Sequence, residues 1–292
     1  MYTSLNDYLK KEYGSKVYKL ALSAVTTCPN RDGTVGTGGC IFCCAEGSGS
    51  FAAPVTMNIS RQIEVAKEKI KGKTTADKFI AYFQSFTNTY APVDYLERVF
   101  LEAISHPQVV ILSIATRPDC LPPEVLDLLK RLNEIKPVWV ELGLQTIHEK
   151  SALYIRRGYP LSVYETAVKN LKEIGVKVIT HMIIGIPDET AEMTVKTAEY
   201  IGKSGSDGIK LQLLHVLNGT DLHNDYLKGR FKCLSLEEYT EILKKCLSVL
   251  PPEIIVHRIT GDGDKKKLIA PLWSGDKKRV INYINKQLGR TT

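Results

Sequence analysis

The chain has 292 residues, of which 43% are hydrophobic and 24% are charged. This composition is typical of a globular protein and excludes a disordered chain. The length fits either one α/β barrel or two smaller domains. No stretch approaches the roughly 18 consecutive apolar residues of a membrane span, and the polar start lacks the apolar core of a secretory signal. We therefore expect a cytoplasmic protein with no membrane partner.

The positive charge is concentrated in the last part of the chain. The whole sequence has a formal net charge of +7, and the segment 257–292 contains nine Lys or Arg residues against three Asp residues. A basic segment of this kind favours a polyanionic partner such as RNA. A solvated basic surface without a partner is the alternative.

Apolar strands alternate with amphipathic helices along most of the chain. The helix that follows the first strand is expected to have Ser60 as its N-cap. In chain order, the pattern predicts a helix over 5–13, a strand over 17–24, a helix over 60–71, a strand over 78–84, a helix over 93–104, a strand over 109–115, a helix over 123–135, a strand over 138–144, helices over 149–155 and 162–174, a strand over 177–184, a helix over 190–203, a strand over 208–214 and a helix over 236–250.

Six strand–helix units of this kind predict a parallel sheet covered by helices. We expect an α/β fold, a partial (β/α)6 TIM-like barrel with a short C-terminal extension, and a doubly wound sheet is the competing arrangement. In both folds, functional groups gather at the carboxyl ends of the strands. Residues 1–252 would form the barrel. Residues 253–292, with a strand over 254–259 and a helix over 276–288, would form a basic extension that packs on it.

Seven cysteines are present, and four of them lie between positions 28 and 44. Cys28, Cys40 and Cys43 have the spacing C-x11-C-x2-C directly after the first predicted strand. In a reducing compartment, clustered cysteines bind metal or perform chemistry more often than they form disulfides. The three isolated cysteines are expected to be small buried side chains. They are Cys120, Cys233 and Cys246.

Three thiolates are one fewer than a closed four-cysteine site requires. A [4Fe–4S] cluster with three cysteine ligands keeps one iron open for another ligand. A structural zinc site needs a fourth protein ligand, which Cys44 could supply only with strain, since it adjoins Cys43. Free thiols are the third alternative. An iron–sulfur site fits the spacing best.

The cysteine segment CPNRDGTVGTGGCIFC and the late segment LIAPLWSGDKKRVINYI together resemble the radical S-adenosylmethionine (SAM) superfamily. The resemblance covers about residues 2–288, and it is to a bacterial subfamily related to the radical SAM domain of the Elongator catalytic subunit. It implies that Cys28, Cys40 and Cys43 are the ligands of a [4Fe–4S] cluster. Relatives often have a small residue where Cys44 stands, so Cys44 is left out of the ligand set.

The same resemblance implies that the open iron binds SAM and that the strand ends contact this cofactor. Many relatives have Gly-Gly-Glu after the second strand to hold the SAM amino group. This chain has Gln84 and Ser85 there, which we expect to take over that contact. Gln145 and Arg157 have the spacing of a pair that holds the SAM carboxylate in relatives. Gly185 resembles part of a turn that contacts the adenine.

Two further side chains interrupt apolar strands. Glu141 lies in a strand that would otherwise be fully apolar, and a buried carboxylate needs partners. His181 is either a hydrogen-bonded core residue or a lining residue of the cofactor pocket. Both are expected to contribute to cofactor binding. Arg117 and Asp119, after the third strand, are expected to form a structural pair at the edge of the barrel.

The resemblance to the Elongator branch, with the basic C-terminal segment, implies a radical SAM enzyme that acts on transfer RNA. The expected reaction changes the 5-substituent of the wobble uridine, including conversion of carboxymethylaminomethyluridine to aminomethyluridine. An electron donor such as flavodoxin or ferredoxin is also implied. One alternative is a radical SAM enzyme with a small-molecule or protein substrate. A zinc-stabilised RNA-binding protein without catalysis is the alternative from another class.

Overall fold

The computed structural model describes residues 2–44, 47, 52–261 and 263–290. Its main element is a sheet of eight parallel strands in the order β1–β9–β7–β6–β5–β4–β3–β2, which curls into a half-barrel. A separate antiparallel pair joins β8 and β10. The strands are β1 (Thr3–Ser4), β2 (Val17–Leu22), β3 (Lys78–Phe83), β4 (Val109–Thr116), β5 (Val138–Gln145), β6 (Lys177–Ile184), β7 (Gly208–Leu213), β8 (Val216–Leu217), β9 (Ile255–Arg258) and β10 (Leu268–Ala270).

The predicted partial barrel is confirmed, and the doubly wound alternative is wrong. Strands β2 to β7 follow one another across the sheet without a reversal of order, whereas a doubly wound sheet reverses at a switch point. The six predicted strands are all present. The sheet is wider than expected, because β9 pairs with β7 and the short β1 pairs with β9. The strand predicted in the C-terminal extension is therefore part of the main sheet.

Helices cover the outer face of the sheet, and most begin at the predicted positions. The N-cap of α2 differs from the prediction: the Asn58 side chain accepts the Arg61 N–H at 2.9 Å, while the Ser60 hydroxyl donates to Glu102. The helices are α1 (Leu5–Tyr13), α2 (Ile59–Ile70), α3 (Val93–Ser105), α4 (Pro123–Ile135), α5 (Glu149–Tyr154), α6 (Leu161–Glu173), α7 (Ala191–Lys203), α8 (Asp221–Leu227), α9 (Leu236–Val249) and α10 (Lys277–Gln287).

Two apolar layers hold the sheet in place. The larger lies between the strands and the outer helices. The smaller lies inside the curl, near the amino ends of the strands, where Leu9 of α1 packs against Ile80, Ile111, Trp139 and Ile179. Each buried aliphatic side chain of this kind contributes about 1.5–3 kcal/mol. Helix α1 thus closes the amino-terminal end of the barrel.

The C-terminal extension packs closely on the barrel. Strand β9 continues the sheet, and α10 packs against α9 through Val280 and Ile284, which are buried in the larger apolar layer. Within the described residues, no helix is long and apolar enough to cross a membrane.

Candidate functional site

A cavity of about 270 Å³ opens at the carboxyl ends of the strands. The cysteine loop covers one side of it, and the turn after β9 covers another. Its walls carry polar and charged side chains from six neighbouring strands, in contrast to the apolar layer below. One polar or charged lining residue from each of these strands is Tyr82, Thr116, Glu141, His181, Lys210 and Arg258.

The cysteine loop brings its thiols to one wall of this cavity. Cys28, Cys40, Cys43 and Cys44 all line it. The loop folds back because the Arg31 guanidinium donates to the carbonyls of Cys43 and Cys44, at 3.2 and 2.5 Å. A glycine is needed at position 39, where φ is +81° and a Cβ atom would lie 2.9 Å from Arg31 Nε.

The environment of these thiols fits a metal centre. Burial, reinforced by the nearby Cys43, raises the pKa of the Cys40 thiol to about 11, and burial also raises the pKa of Cys43. A bound cationic centre reverses this effect and stabilises the thiolates. Among the described residues, no three Cys, His, Asp or Glu side chains converge as closely as a single metal ion requires. In a [4Fe–4S] cluster each thiolate bonds a different iron, and Cys28, Cys40 and Cys43, which line one cavity, are the type and number of ligands that such a cluster needs when one iron stays open.

Glu141 is the centre of a buried polar network inside the barrel. Its side chain has no exposed surface. One carboxylate oxygen accepts from Lys19 Nζ and Ser113 Oγ, both at 2.8 Å. The other oxygen accepts from His181 Nε2 at 2.7 Å and from Lys210 Nζ. Each lone-pair position of the carboxylate therefore has a donor.

Charges and burial act against each other in this network. Burial alone would raise the pKa of Glu141, but the ammonium groups of Lys19 and Lys210 hold it well below the usual value. Burial, with Lys210 nearby, lowers the pKa of His181 to about 4, so this imidazole is neutral at pH 7 and donates to Glu141. Burial also lowers the pKa of Lys210. The network keeps the buried Glu141 carboxylate ionised in the interior of the barrel.

Gln145 and Arg157 line the same cavity. Gln145 ends β5 with φ at +68°, an uncommon conformation for a residue other than glycine. Its Oε1 atom is buried without a hydrogen-bond partner among the described residues. The Arg157 side chain is 2% exposed; its Nη1 donates to the Thr146 carbonyl at 2.6 Å, and its Nη2 has no hydrogen bond within the described residues but lies 3.6 Å from Glu149 Oε2. Unsatisfied polar atoms beside a cavity indicate a place for a ligand.

The other residues expected to bind the cofactor occupy different positions. Gln84 and the neighbouring Thr87 line the cavity. Ser85 is buried next to Ser23, with 3.4 Å between their hydroxyl oxygens, and does not belong to the lining. Gly185 follows β6 with φ at +95°, also outside the lining, although Ile183 two residues earlier contributes to it.

The expected pair at the edge of the barrel is present. Arg117 Nε and Nη2 donate to the two carboxylate oxygens of Asp119 at 2.9 and 2.6 Å. Arg117 also reaches the Arg157 carbonyl and lies over the Tyr159 ring. It therefore connects the end of β4 to the segment that carries Arg157.

Sequence reasoning missed three charged residues of the cavity lining and of the Glu141 network. They are Lys19, Arg31 and Arg258. Lys19 could have been found, because it interrupts an apolar strand in the same way as Glu141. The sequence did not show which face of the sixth predicted strand, β7, points inward. The structure places the Lys210 side chain of β7 inside the barrel, where the residue is 3% exposed.

Known protein families and individual proteins resemble this chain in sequence. The sequence profile of the radical SAM superfamily matches residues 27–201, and that of the radical SAM C-terminal domain matches residues 206–290. YtqA of Bacillus subtilis is 46% identical over 287 residues, which cover 98% of this chain and 89% of YtqA. A tRNA uridine(34) acetyltransferase of Methanocaldococcus jannaschii is 32% identical over 157 residues, 52% of this chain and 28% of that protein.

A solved structure has the same fold. Archaeal Elp3 from Methanocaldococcus infernus, with residues 1–46 deleted, matches with a TM-score of 0.69 at 20% sequence identity. The match covers 93% of this chain and 63% of that one. Two adjacent family profiles span most of the chain, and its clustered cysteines line a cavity at the strand ends. Both observations lead to the same assignment. The chain belongs to the radical SAM superfamily and is an enzyme that uses a [4Fe–4S] cluster and SAM.

Proposed function

We propose that this enzyme acts on transfer RNA and changes the 5-substituent of the wobble uridine, including conversion of carboxymethylaminomethyluridine to aminomethyluridine. In that conversion the bond between nitrogen and the carboxymethyl carbon would break, water would supply an oxygen and the two carbons would leave as glyoxylate, while SAM would take up the two electrons as it becomes methionine and 5′-deoxyadenosine. The observation that carries the proposal is a basic loop at the cavity. Gly261, Gly263 and Asp264 line the cavity, and the chain continues directly into Lys265 and Lys266, which are exposed. Positive charge at the entrance attracts the phosphates of an RNA whose base enters the cavity.

The relatives support the same substrate class. The protein from Methanocaldococcus jannaschii that is 32% identical over about half of this chain is a tRNA uridine(34) acetyltransferase. Fruit-fly Elongator complex protein 3 is 25% identical over 219 residues. We infer that the shared part is the radical SAM barrel and that it takes the same kind of nucleoside.

In this proposal Cys28, Cys40 and Cys43 bind the cluster, and Gln145 and Arg157 hold the carboxylate of SAM. When the cluster is bound and reduced by a flavodoxin or ferredoxin, it supplies the electron that splits SAM into methionine and a 5′-deoxyadenosyl radical. The side chains of this protein orient SAM and exclude water. An arginine fork is suited to a carboxylate, and the unpaired Gln145 Oε1 can accept from an ammonium group.

The proposal is tested with anaerobically purified enzyme that has been loaded with iron and sulfide and then reduced. Transfer RNA from a strain that lacks the gene is added, and both 5′-deoxyadenosine and the tRNA nucleosides are measured. We expect tRNA to increase 5′-deoxyadenosine formation and the wobble nucleoside to change. SAM cleavage that tRNA does not affect, with unchanged nucleosides, would support a small-molecule or protein substrate instead.

Neutralising the basic loop is expected to weaken tRNA binding. The double substitution Lys265→Gln/Lys266→Gln removes two charges near the cavity and should lower the slope of log K against log salt by roughly 1 to 2. The matched control is Lys10→Gln/Lys11→Gln, two exposed lysines of α1 at the closed end of the barrel. Binding is measured by filter retention over a range of salt concentrations. Equal slopes for the two double variants would contradict a role of this loop.

Gly143 leaves space that the Gln145 side chain occupies. A Cβ atom at position 143 would lie 2.8 Å from Gln145 Nε2, so Gly143→Ala must displace this amide. We expect KM for SAM to rise roughly tenfold, as for the loss of one hydrogen bond to a charged group. The control is Gly72→Ala, where a Cβ atom meets nothing within 4 Å. A SAM titration of 5′-deoxyadenosine formation that gives equal KM values for both variants would refute this placement of Gln145.

A further inference from the structure

The side chain of Asn30 connects Cys40 to the segment that carries Arg157. Asn30 is 5% exposed. Its Nδ2 atom donates to Cys40 Sγ at 3.5 Å and to the Arg156 carbonyl oxygen at 2.6 Å. The two hydrogens of the amide nitrogen suffice for both bonds. Asn30 is therefore a buried donor to a sulfur that we expect to bind the cluster.

The direction of the contact with Cys40 follows from the two acceptors. The Arg156 carbonyl can only accept, so the amide nitrogen of Asn30, and not its oxygen, must face this group. A cysteine that binds a metal is deprotonated, so its sulfur can also only accept. Cys40 in its iron-binding form is therefore the acceptor of the Asn30 hydrogen bond.

The surrounding backbone holds the Asn30 amide in this position. The Asn30 carbonyl accepts from the N–H of Gly39, the residue before Cys40, at 2.7 Å. Gly36 leaves the space that the side chain needs, since a Cβ atom there would lie 2.6 Å from Asn30 Oδ1. A donor that is fixed before the reaction needs little rearrangement when the charge on its acceptor changes.

A hydrogen bond to a cysteine ligand changes the reduction potential of an iron–sulfur cluster. Reduction adds one electron, which increases the negative charge on the cluster and its sulfur ligands. A donor to one of these sulfurs stabilises the reduced form more than the oxidised form and so raises the potential. Because a radical SAM enzyme must receive an electron before it can split SAM, this potential determines how readily a donor protein can supply that electron.

We propose that Asn30 is a positioning residue that raises the reduction potential of the [4Fe–4S] cluster through its hydrogen bond to Cys40, which rests on the assignment of Cys40 as a cluster ligand in the proposed function. Asn30 acts through Cys40 and contacts neither SAM nor the substrate. Its second hydrogen bond, to the Arg156 carbonyl, ties the adjoining Arg157 to the same amide. The donor and the arginine that would hold SAM thus keep a fixed position relative to one cluster ligand.

The test is a redox titration of the reconstituted enzyme, followed by EPR, without SAM and without tRNA. Asn30→Ala removes the donor, and Gly36→Ala keeps the donor but must displace its amide. We expect both variants to retain iron and sulfide and to have more negative midpoint potentials than the wild type. Asn133→Ala is the matched control and should keep the wild-type potential. The Asn133 amide also joins two backbone segments, through Gly175 and Val138, but at the amino end of β5.

A second measurement uses the wild type and does not depend on how well a variant folds. The enzyme is labelled with the heavy nitrogen isotope only in the side-chain amides of asparagine, and pulsed EPR spectra of the reduced cluster are recorded. We expect a hyperfine coupling to the labelled nitrogen, because Asn30 Nδ2 is hydrogen-bonded to a sulfur ligand. The control is the same enzyme labelled in the side-chain amides of glutamine.

The outcomes separate this proposal from the proposed function. Absence of the asparagine coupling, or a wild-type potential in both Asn30→Ala and Gly36→Ala, would overturn the role of Asn30 and leave the cluster ligands unchanged. If both variants lost the cluster, the coupling in the labelled wild type would decide alone. Full iron content in Cys40→Ala would instead overturn the ligand assignment and this proposal with it. No measurement includes tRNA, so the result does not depend on the substrate.

Discussion

Cys40→Ala is expected to abolish SAM cleavage and remove most of the iron. Cys40 is half-buried in the wall of the cavity, and the burial of its thiol raises its pKa to about 11, so its thiolate depends on a cationic centre. With only Cys28 and Cys43 left, a [4Fe–4S] cluster lacks one of its three protein ligands. Iron, sulfide and zinc contents are measured together with 5′-deoxyadenosine after anaerobic reconstitution.

Two other cysteines provide controls for this result. Cys246→Ala removes a fully buried thiol of α9 that does not belong to the cavity lining, and should keep iron and activity. Cys44→Ala removes the thiol next to Cys43 and should also keep the cluster. Full iron content in Cys40→Ala would contradict the ligand assignment. A wild type that holds zinc without iron would support the zinc-stabilised protein instead.

Glu141→Gln is expected to lower the free energy of unfolding by about 3–5 kcal/mol, the usual effect of removing one partner from a buried ion pair. The amide has almost the same shape as the carboxylate, but its single oxygen cannot serve the four donors that surround it. Lys19 and Lys210 would then face each other without a negative charge between them. Chemical denaturation of the cluster-loaded proteins under anaerobic conditions measures the effect.

A double variant separates charge from packing. Lys210→Met combined with Glu141→Gln removes one positive and one negative charge and should recover part of the lost stability. Thr166→Ala, an exposed position on α6, serves as a neutral reference and should stay within about 0.5 kcal/mol of the wild type. If Glu141→Gln had the same free energy of unfolding as Thr166→Ala, the network would not contribute to stability.

Sequence patterns were sufficient for the barrel because each of its six central strands is an apolar run bounded by turn residues. They were insufficient for the edge of the sheet. Strand β1 has two residues, too few for any period, and nothing local indicates that β9 pairs with β7. The N-cap of α2 was assigned to Ser60, since Ser is as good a cap as Asn. In the structure the N-cap is Asn58, two residues earlier, because the Ser60 hydroxyl donates its hydrogen bond to Glu102.

Polar residues within apolar strands were a reliable indication of the site. Glu141, Gln145 and His181 were singled out in this way, and all three line the cavity. Arg258 could not be found by this reasoning, since its inward direction depends on a slip in register that no pattern encodes. The role of Ser85 in cofactor binding stays a prediction, as it lies beneath the lining next to Ser23.

The pairing of β1 with β9 has a consequence for biosynthesis. Thr3 lies opposite Ile255, so two segments separated by about 250 residues must meet. At a translation rate of about 5–20 residues per second, Thr3 waits on the order of ten seconds or more for its partner. Strand β7 ends at Leu213, 42 residues before β9 begins at Ile255, so the edge of β7 that later accepts β9 has no strand beside it for roughly 2 to 8 seconds of that time. An unpaired edge can join a strand from another nascent chain. In that interval the edge of β7 is therefore a place where chaperone protection would prevent pairing with another chain.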